Sequence, residues 1–381
     1  MGDLAPELAG QLAAAAHEPT RREVDPAQLN ERLRARAARS PHAWEVVTLD
    51  QPGGYDRLIF HKPAPKPNSP SLLITTGIHG NEPSGPLACL DLLSSPSLKD
   101  CEVVLIPMVN PVGLSQGKRG NGRNVDLNRD FLLTSSDEAR NLAAFYRAIG
   151  KFTAAISPHE DWERYEGEGG QGAYIYEMNR DGGPVAIDEI RGALEKSGMP
   201  RNRLAEIDGL AAEDGVIRRG GLQSEVPGAD GLVGYLHNKQ AETSLLREVG
   251  VTDLAYIVET PSYMELGRRV KAHTAVVEAL AERISDPSFR PAREARNFDL
   301  QAAAGPGRLS TVGLPRPLCG EHNAGIYTLP LDIDRSPVKD ILGPEQVADG
   351  RKAFEAFKAL ARRASGDGGG ISAAGGREAC R

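Results

Sequence analysis

Four short apolar runs limit what this chain can become. Ser71–Thr76 (SLLITT), Glu102–Val109 (EVVLIPMV), Phe152–Ser157 (FTAAIS) and Leu254–Thr260 (LAYIVET) each have the length and composition of a buried strand. Between the first two, Leu87 to Leu93 places apolar residues at helical spacing. Between the second and third, Asp137–Ile149 is amphipathic, with Leu142, Phe145 and Ile149 on one face. Strand, helix, strand in this order makes a parallel crossover unit, so the chain reads as α/β. Ligands of such sheets bind outside the carboxyl ends of the strands. The polar residues that follow these runs therefore carry the functional question.

After Ser71–Thr76, Gly77 breaks the strand and His79 and Glu82 come just before the next helix. An imidazole and a carboxylate at one turn can both be aimed at a zinc ion, and a catalytic zinc needs a third protein ligand and an open position. The same His-x-x-Glu spacing recurs at His42 and Glu45, but ahead of a strand and with no helix behind it, and reads as a surface coincidence. The third run ends at Ser157-Pro158-His159, a second histidine at a strand end, followed by an acidic pair, Glu160-Asp161, that faces either a substrate ammonium or solvent. With His79 and Glu82, His159 completes a three-ligand set. The fourth run carries one acid, Glu259, and a carboxylate in an apolar strand is costly to bury unless it has a partner or a task. Beside a zinc-activated water it would act as general base. The glycine-rich stretch 113–130 reads as a long loop holding Arg119, Arg123, Asn128 and Arg129. Arginines there can hold an oxyanion or clamp a substrate carboxylate, with Asn128 adding a directional bond.

The chain has 381 residues, and 40% hydrophobic content supplies a full core for one large domain or two ordinary ones. A net charge of -7 with scattered Lys and Arg leaves no footprint for nucleic acid or an anionic membrane. No apolar run approaches the roughly 18 residues of a membrane span. The start of the sequence lacks the basic region of a signal peptide. The four cysteines, Cys89, Cys101, Cys319 and Cys380, form no C-x-x-C pair, which suits reduced thiols and a cytoplasmic protein. Residues 1–44 read as a peripheral helical lead-in, with its helix over Gln28–Arg39. Strands are expected at Glu45–Leu49, Arg57–His61 and Ala173–Met178, and helices at Ile187–Ser197 and Tyr263–Ile284. Residues 200–250 give no clear pattern. Residues 286–365 read as a C-terminal extension of unassigned role, with a helix at Ala353–Leu360, and 366–381 as a disordered tail.

Five stretches carry a family resemblance: His79-Gly80-Asn81-Glu82, Asn110-Pro111-Val112-Gly113, Val125-Asp126-Leu127-Asn128-Arg129-Asp130-Phe131, His159, and Glu259-Thr260-Pro261-Ser262. Together they resemble the zinc carboxypeptidase family, including its succinylglutamate desuccinylase and aspartoacylase branch, over residues 45–285. The resemblance implies a mixed, mostly parallel eight-stranded sheet between helices. It implies one zinc per chain on His79, Glu82 and His159, Asn128 and Arg129 on the substrate's terminal carboxylate, and Glu259 as general base and later proton donor. It places the oxyanion arginine at Arg119, nine residues before Asn128, with Arg123 second. A mobile tyrosine of the peptidases has its counterpart by spacing at Tyr235. Val112 departs from the Asp common in that motif, and 286–365 has no family counterpart.

The reading that follows is a zinc-dependent metallocarboxypeptidase cutting an amide next to a free C-terminal carboxylate in small peptides. The alternative is a deacylase of N-acyl amino acids. A non-catalytic carboxylate-binding protein is the least favoured, since the base and all three ligands are present.

Overall fold

The computed structural model describes residues 24–131, 134–167, 169–179, 185–218, 241–242, 245–246 and 249–289. Tyr235, most of the extension, its expected helix and the expected tail lie outside them. The strands are β1 (Glu45–Asp50), β2 (Arg57–Lys62), β3 (Ser71–Thr75), β4 (Glu102–Ile106), β5 (Ala154–Asp161), β6 (Tyr174–Asn179), β7 (Glu206–Ile207), β8 (Leu210–Ala211), β9 (Val216–Arg218) and β10 (Leu254–Pro261). Eight of them form one mixed sheet in the order β1-β2-β4-β3-β5-β10-β6-β9, and β7 and β8 make a separate hairpin. The pairs β3–β4, β3–β5, β5–β10 and β6–β9 are parallel. The pairs β1–β2, β2–β4 and β6–β10 are antiparallel. The expected mixed, mostly parallel eight-stranded sheet is borne out.

Side chains alternate between faces along a strand, and the sheet uses both. Leu72, Ile74, Val103, Leu105 and Ile156 belong to one core layer, and Leu73, Val104, Ile106 and Ala155 to the other. Helices α1 (Pro26–Ala38), α2 (Ser84–Leu92), α5 (Ile187–Lys196) and α6 (Leu266–Ser285) cover the first layer, and α4 (Asp137–Ala148) the second. The short α3 (Pro111–Gln116) lies between β4 and α4. The lead-in helix α1 is not peripheral: Leu29 and Leu33 are fully buried in the same layer as β2 and α2. Its start is fixed by Asp25, whose side chain accepts the Ala27 N–H, and by Pro26 at the first helical position.

Two expectations need correction. The stretch 113–130 is not all loop. Asn110 accepts the Gly113 N–H at 2.8 Å and starts α3, Gly117 ends it in the left-handed region, and residues 127–129 form a further helical turn. The third strand does not stop before His159 but runs on to Asp161. Pro158 is tolerated there because β5 has outrun β3, whose pairing ends at Ile156, so on that side no ladder bond is lost.

Candidate metal centre

The turn after β3 is held tightly. Thr76 and Gly77 exchange backbone bonds with Ile106, Val109 and Asn110, and Gly77 has a left-handed φ of 64°. Gly80 passes directly over α3: a Cβ there would lie 1.9 Å from the Gly113 carbonyl carbon. The Glu82 N–H donates to the His79 carbonyl at 3.2 Å, which puts both side chains on one side of the turn.

His79 Nδ1 lies 2.6 Å from Glu82 Oε1, and His159 Nδ1 lies 3.0 Å from Glu82 Oε2. The rings stand edge to face at 4.9 Å, and all three side chains are buried. One ligand atom from each of the three lies within 4.8 Å of the others, and among the described residues no other such trio of His, Cys, Asp or Glu occurs. The coincidental pair has other partners: His42 bonds the Ser95 carbonyl and Glu45 meets His61.

The charges fit a cation. Burial alone would raise the Glu82 pKa, yet the two imidazoles beside it pull it down to about 2. Burial opposes protonation of His79, but Glu82 and Asp126 outweigh it and raise its pKa. The outer nitrogen, His79 Nε2, is 3.3 Å from Asp126 Oδ1 without hydrogen-bond geometry. A carboxylate shared by two imidazoles, each turning Nδ1 towards it, is a donor set suited to a divalent ion.

Asp126 also accepts from Arg119 Nε at 2.9 Å, and Arg119 Nη1 comes within 3.7 Å of Glu82 Oε1. Arg119 is thus at the centre's edge with its side chain 43% exposed, free enough to meet a substrate. Arg123 is exposed, and its backbone N–H donates to Asn121 Oδ1; the structure does not bring it to the centre. Asn128 is buried, and its Oδ1 accepts the Glu242 N–H at 3.0 Å. Arg129 is half-buried and donates Nη1 to the Asn128 carbonyl at 2.8 Å; burial lowers its pKa, with Asp126 opposing.

Glu259 stands directly beside His159 in the parallel β5–β10 register and opposite Tyr174 of β6. Burial, then Glu82 and Asp161, push its pKa up to about 8 against the pull of His159 and Arg119. The acidic pair after His159 splits. Glu160 turns inward to the Ser84 N–H and Arg269, which corrects its reading as a residue facing ammonium or solvent. Asp161 accepts from the Tyr165 and Tyr174 hydroxyls, both at 2.9 Å. Next to it, the β7–β8 hairpin turns at Asp208-Gly209, both at positive φ, and Asp208 accepts the Tyr176 hydroxyl at 2.5 Å.

Sequence reasoning passed over two residues here. Asp126 stands inside the motif of residues 125–131, where nothing in the spacing marks its task, although a carboxylate behind a ligand histidine is a recurrent arrangement. Glu242, buried between Thr75 and Tyr146, lies in the stretch without a pattern, and nothing there marked it.

Residues 68–163 match the family model of the succinylglutamate desuccinylase/aspartoacylase catalytic domain. Murein peptide amidase A of Escherichia coli (strain K12) is 45% identical over 71 residues, which is 18% of this chain and 28% of the amidase. The chain thus spans little more than a quarter of that relative. Two solved structures named as metallopeptidases share the fold. One, from Shewanella amazonensis SB2B, has a TM-score of 0.55 at 22% identity over 67% of this chain and 92% of its own. The other, from Shewanella denitrificans OS217, has a TM-score of 0.53 at 24% identity over 68% and 89%. The resemblance read from the motifs is borne out: residues 68–163, which include His79, Glu82 and His159, are similar in sequence to the desuccinylase/aspartoacylase catalytic domain, within a chain that shares the fold of these two structures.

Proposed function

We propose that the protein is a zinc-dependent hydrolase that cuts an amide next to a free carboxylate, a metallocarboxypeptidase of short peptides. The observation that carries this is the trio His79, Glu82 and His159 with Glu259 in register beside His159. The three residues would hold one zinc per chain; when bound, the ion supplies Lewis acidity that polarises the carbonyl and makes a water acidic near neutral pH. Glu259 takes the water's proton and later returns it to the departing amine. Arg119, anchored by Asp126 through Nε, turns its Nη groups to the developing oxyanion. Asn128 and Arg129 grip the substrate carboxylate; Tyr235, the further candidate for substrate binding, lies outside the described residues. The amidase match supports a small peptide as substrate.

A second reading, deacylation of N-acyl amino acids, has the family match over 68–163 in its favour and uses the same groups. A non-catalytic carboxylate binder would have no need of Glu259. Among the described residues no helix is long and apolar enough to cross a membrane. The buried Cys89 supports a reducing compartment such as the cytoplasm.

The test combines zinc content with hydrolysis of C-terminally free di- and tripeptides and of N-acyl amino acids, for the wild type and for Glu259→Gln. Peptide release with one zinc per chain, and a fall of roughly 10²–10⁴-fold in kcat in the variant at full zinc content, is the expected result. Activity on N-acyl amino acids alone transfers the protein to the second reading. Undiminished turnover in the variant removes Glu259 as the base.

A further inference from the structure

Glu160 and Arg269 are both buried, and the proposed chemistry uses neither. Glu160 follows His159 in β5. Its backbone N–H donates to Glu82 Oε2 at 3.1 Å, and its Oε1 accepts the Ser84 N–H at 2.7 Å. Two bonds therefore cross in opposite directions between the same two segments: the turn that carries His79 and Glu82, and the strand that carries His159. Arg269 of α6 completes the arrangement. It donates Nη1 to Glu160 Oε2, and Nε to the Met264 carbonyl at 2.9 Å, in the turn that follows β10 and Glu259. One helical turn on, His273 Nε2 meets Thr260 Oγ1 at 3.0 Å, and Thr260 in turn reaches the His159 carbonyl at 3.4 Å. One face of α6 thus grips β10 just past Glu259 and reaches β5 both through Glu160 and through Thr260.

Stability alone is a weak reason for such a pair, because desolvation cancels most of the Coulomb gain and apolar residues of like volume often serve as well. What a fully bonded buried pair supplies is fixed geometry. Here it ties the Glu82 turn to the His159 strand, and groups behind metal ligands commonly set their orientation and affinity.

We propose that Glu160 and Arg269 are positioning residues of the metal centre, holding the Glu82 turn and the His159 strand at metal-binding distance. The inference rests on the reading that His79, Glu82 and His159 bind a divalent ion. Cobalt(II), titrated into the full chain against a competing chelator and followed by its visible spectrum, tests it in wild type, Glu160→Gln and Arg269→Lys. Circular dichroism of the metal-free proteins reports folding separately. The expected result is folded variants with cobalt affinity lowered roughly 10–100-fold and an altered spectrum. A merely structural pair would lower the metal-free melting temperature and leave the affinity and spectrum of the folded protein as in wild type; that result overturns the proposal. If Glu160→Gln does not fold, Arg269→Lys, which keeps the charge and disturbs only the fork, decides by the same criterion. A wild type that binds no cobalt defeats the metal-centre reading itself, and this inference with it.

Discussion

At Asp126 one carboxylate accepts from the Asn128 N–H and Arg119 Nε, each at 2.9 Å, and stands 3.3 Å from His79 Nε2. It therefore links the candidate ligand, the candidate oxyanion arginine and the candidate substrate-binding turn. Asp126→Asn keeps the shape and removes the charge. We expect metal affinity to fall roughly 10–100-fold, read by competition with a chelator; unchanged affinity would leave Asp126 with only its role in the turn. Glu259 makes a prediction of a different kind. In the metal-free protein burial holds its pKa near 8, above the ordinary 4.5. Below the ordinary value both folded and unfolded chains keep the proton and nothing is lost. Above it the unfolded chain ionises first, so folded stability falls as pH rises from about 4.5 to about 8. Denaturant unfolding of metal-free protein across this window is expected to show that fall in wild type and a shallower one in Glu259→Gln. Equal slopes would mean that Glu259 ionises normally. His79, Glu82, His159 and Glu259 were legible because each breaks an apolar run or follows one. Glu242 was not, because its carboxylate is accommodated by Tyr146 and Thr75, partners distant in sequence that no local pattern announces.

The elements that carry the site depend on close backbone approach. Gly80 has no room for a side chain against the first turn of α3. Gly80→Ala is expected to push the His79–Glu82 turn away from α3, destabilising the fold by ~1–3 kcal/mol in urea titration and weakening metal binding with it. Wild-type stability in this variant would show that the turn can shift at no cost. Except for β9, which falls in the stretch without a pattern, the sheet strands and the long helices were legible from their apolar runs and periodicity, and their observed ends differ from expectation by a few residues. The misreadings came where one signal hid another. Glycines and arginines masked α3, which depends on the Asn110 cap and the left-handed Gly117. Pro158 suggested a strand end, yet it sits where β5 has lost one neighbour and keeps the other, β10. The β7–β8 hairpin is too short for any alternation to register, and only Asp208-Gly209 marks its turn.

For the molecule as a whole, a bound ion adds stability by mass action, since the unfolded chain offers no assembled site. Chelation is expected to lower Tm and addition of zinc to restore it, in a concentration-dependent way, with His159→Ala abolishing the response. A chelator-insensitive Tm would argue against tight metal binding. The α/β class was legible from the apolar runs and their order, and the mixed eight-stranded sheet from the family resemblance that the motifs carry. The placement of α1 in the core was not, because a polar, arginine-rich helix hides Leu29 and Leu33 among charges. The sheet order also divides the candidate site among three neighbouring strands, β3, β5 and β10. The three donors come together once β5 lies against β3, but Glu259 joins them only when β10 pairs with β5. Those contacts are distant along the chain and slow to form. A chain in which β10 and α6 have yet to dock therefore lacks both Glu259 and the proposed Arg269 support, so the candidate donors reach their final spacing only when the last central strand and the helix behind it arrive.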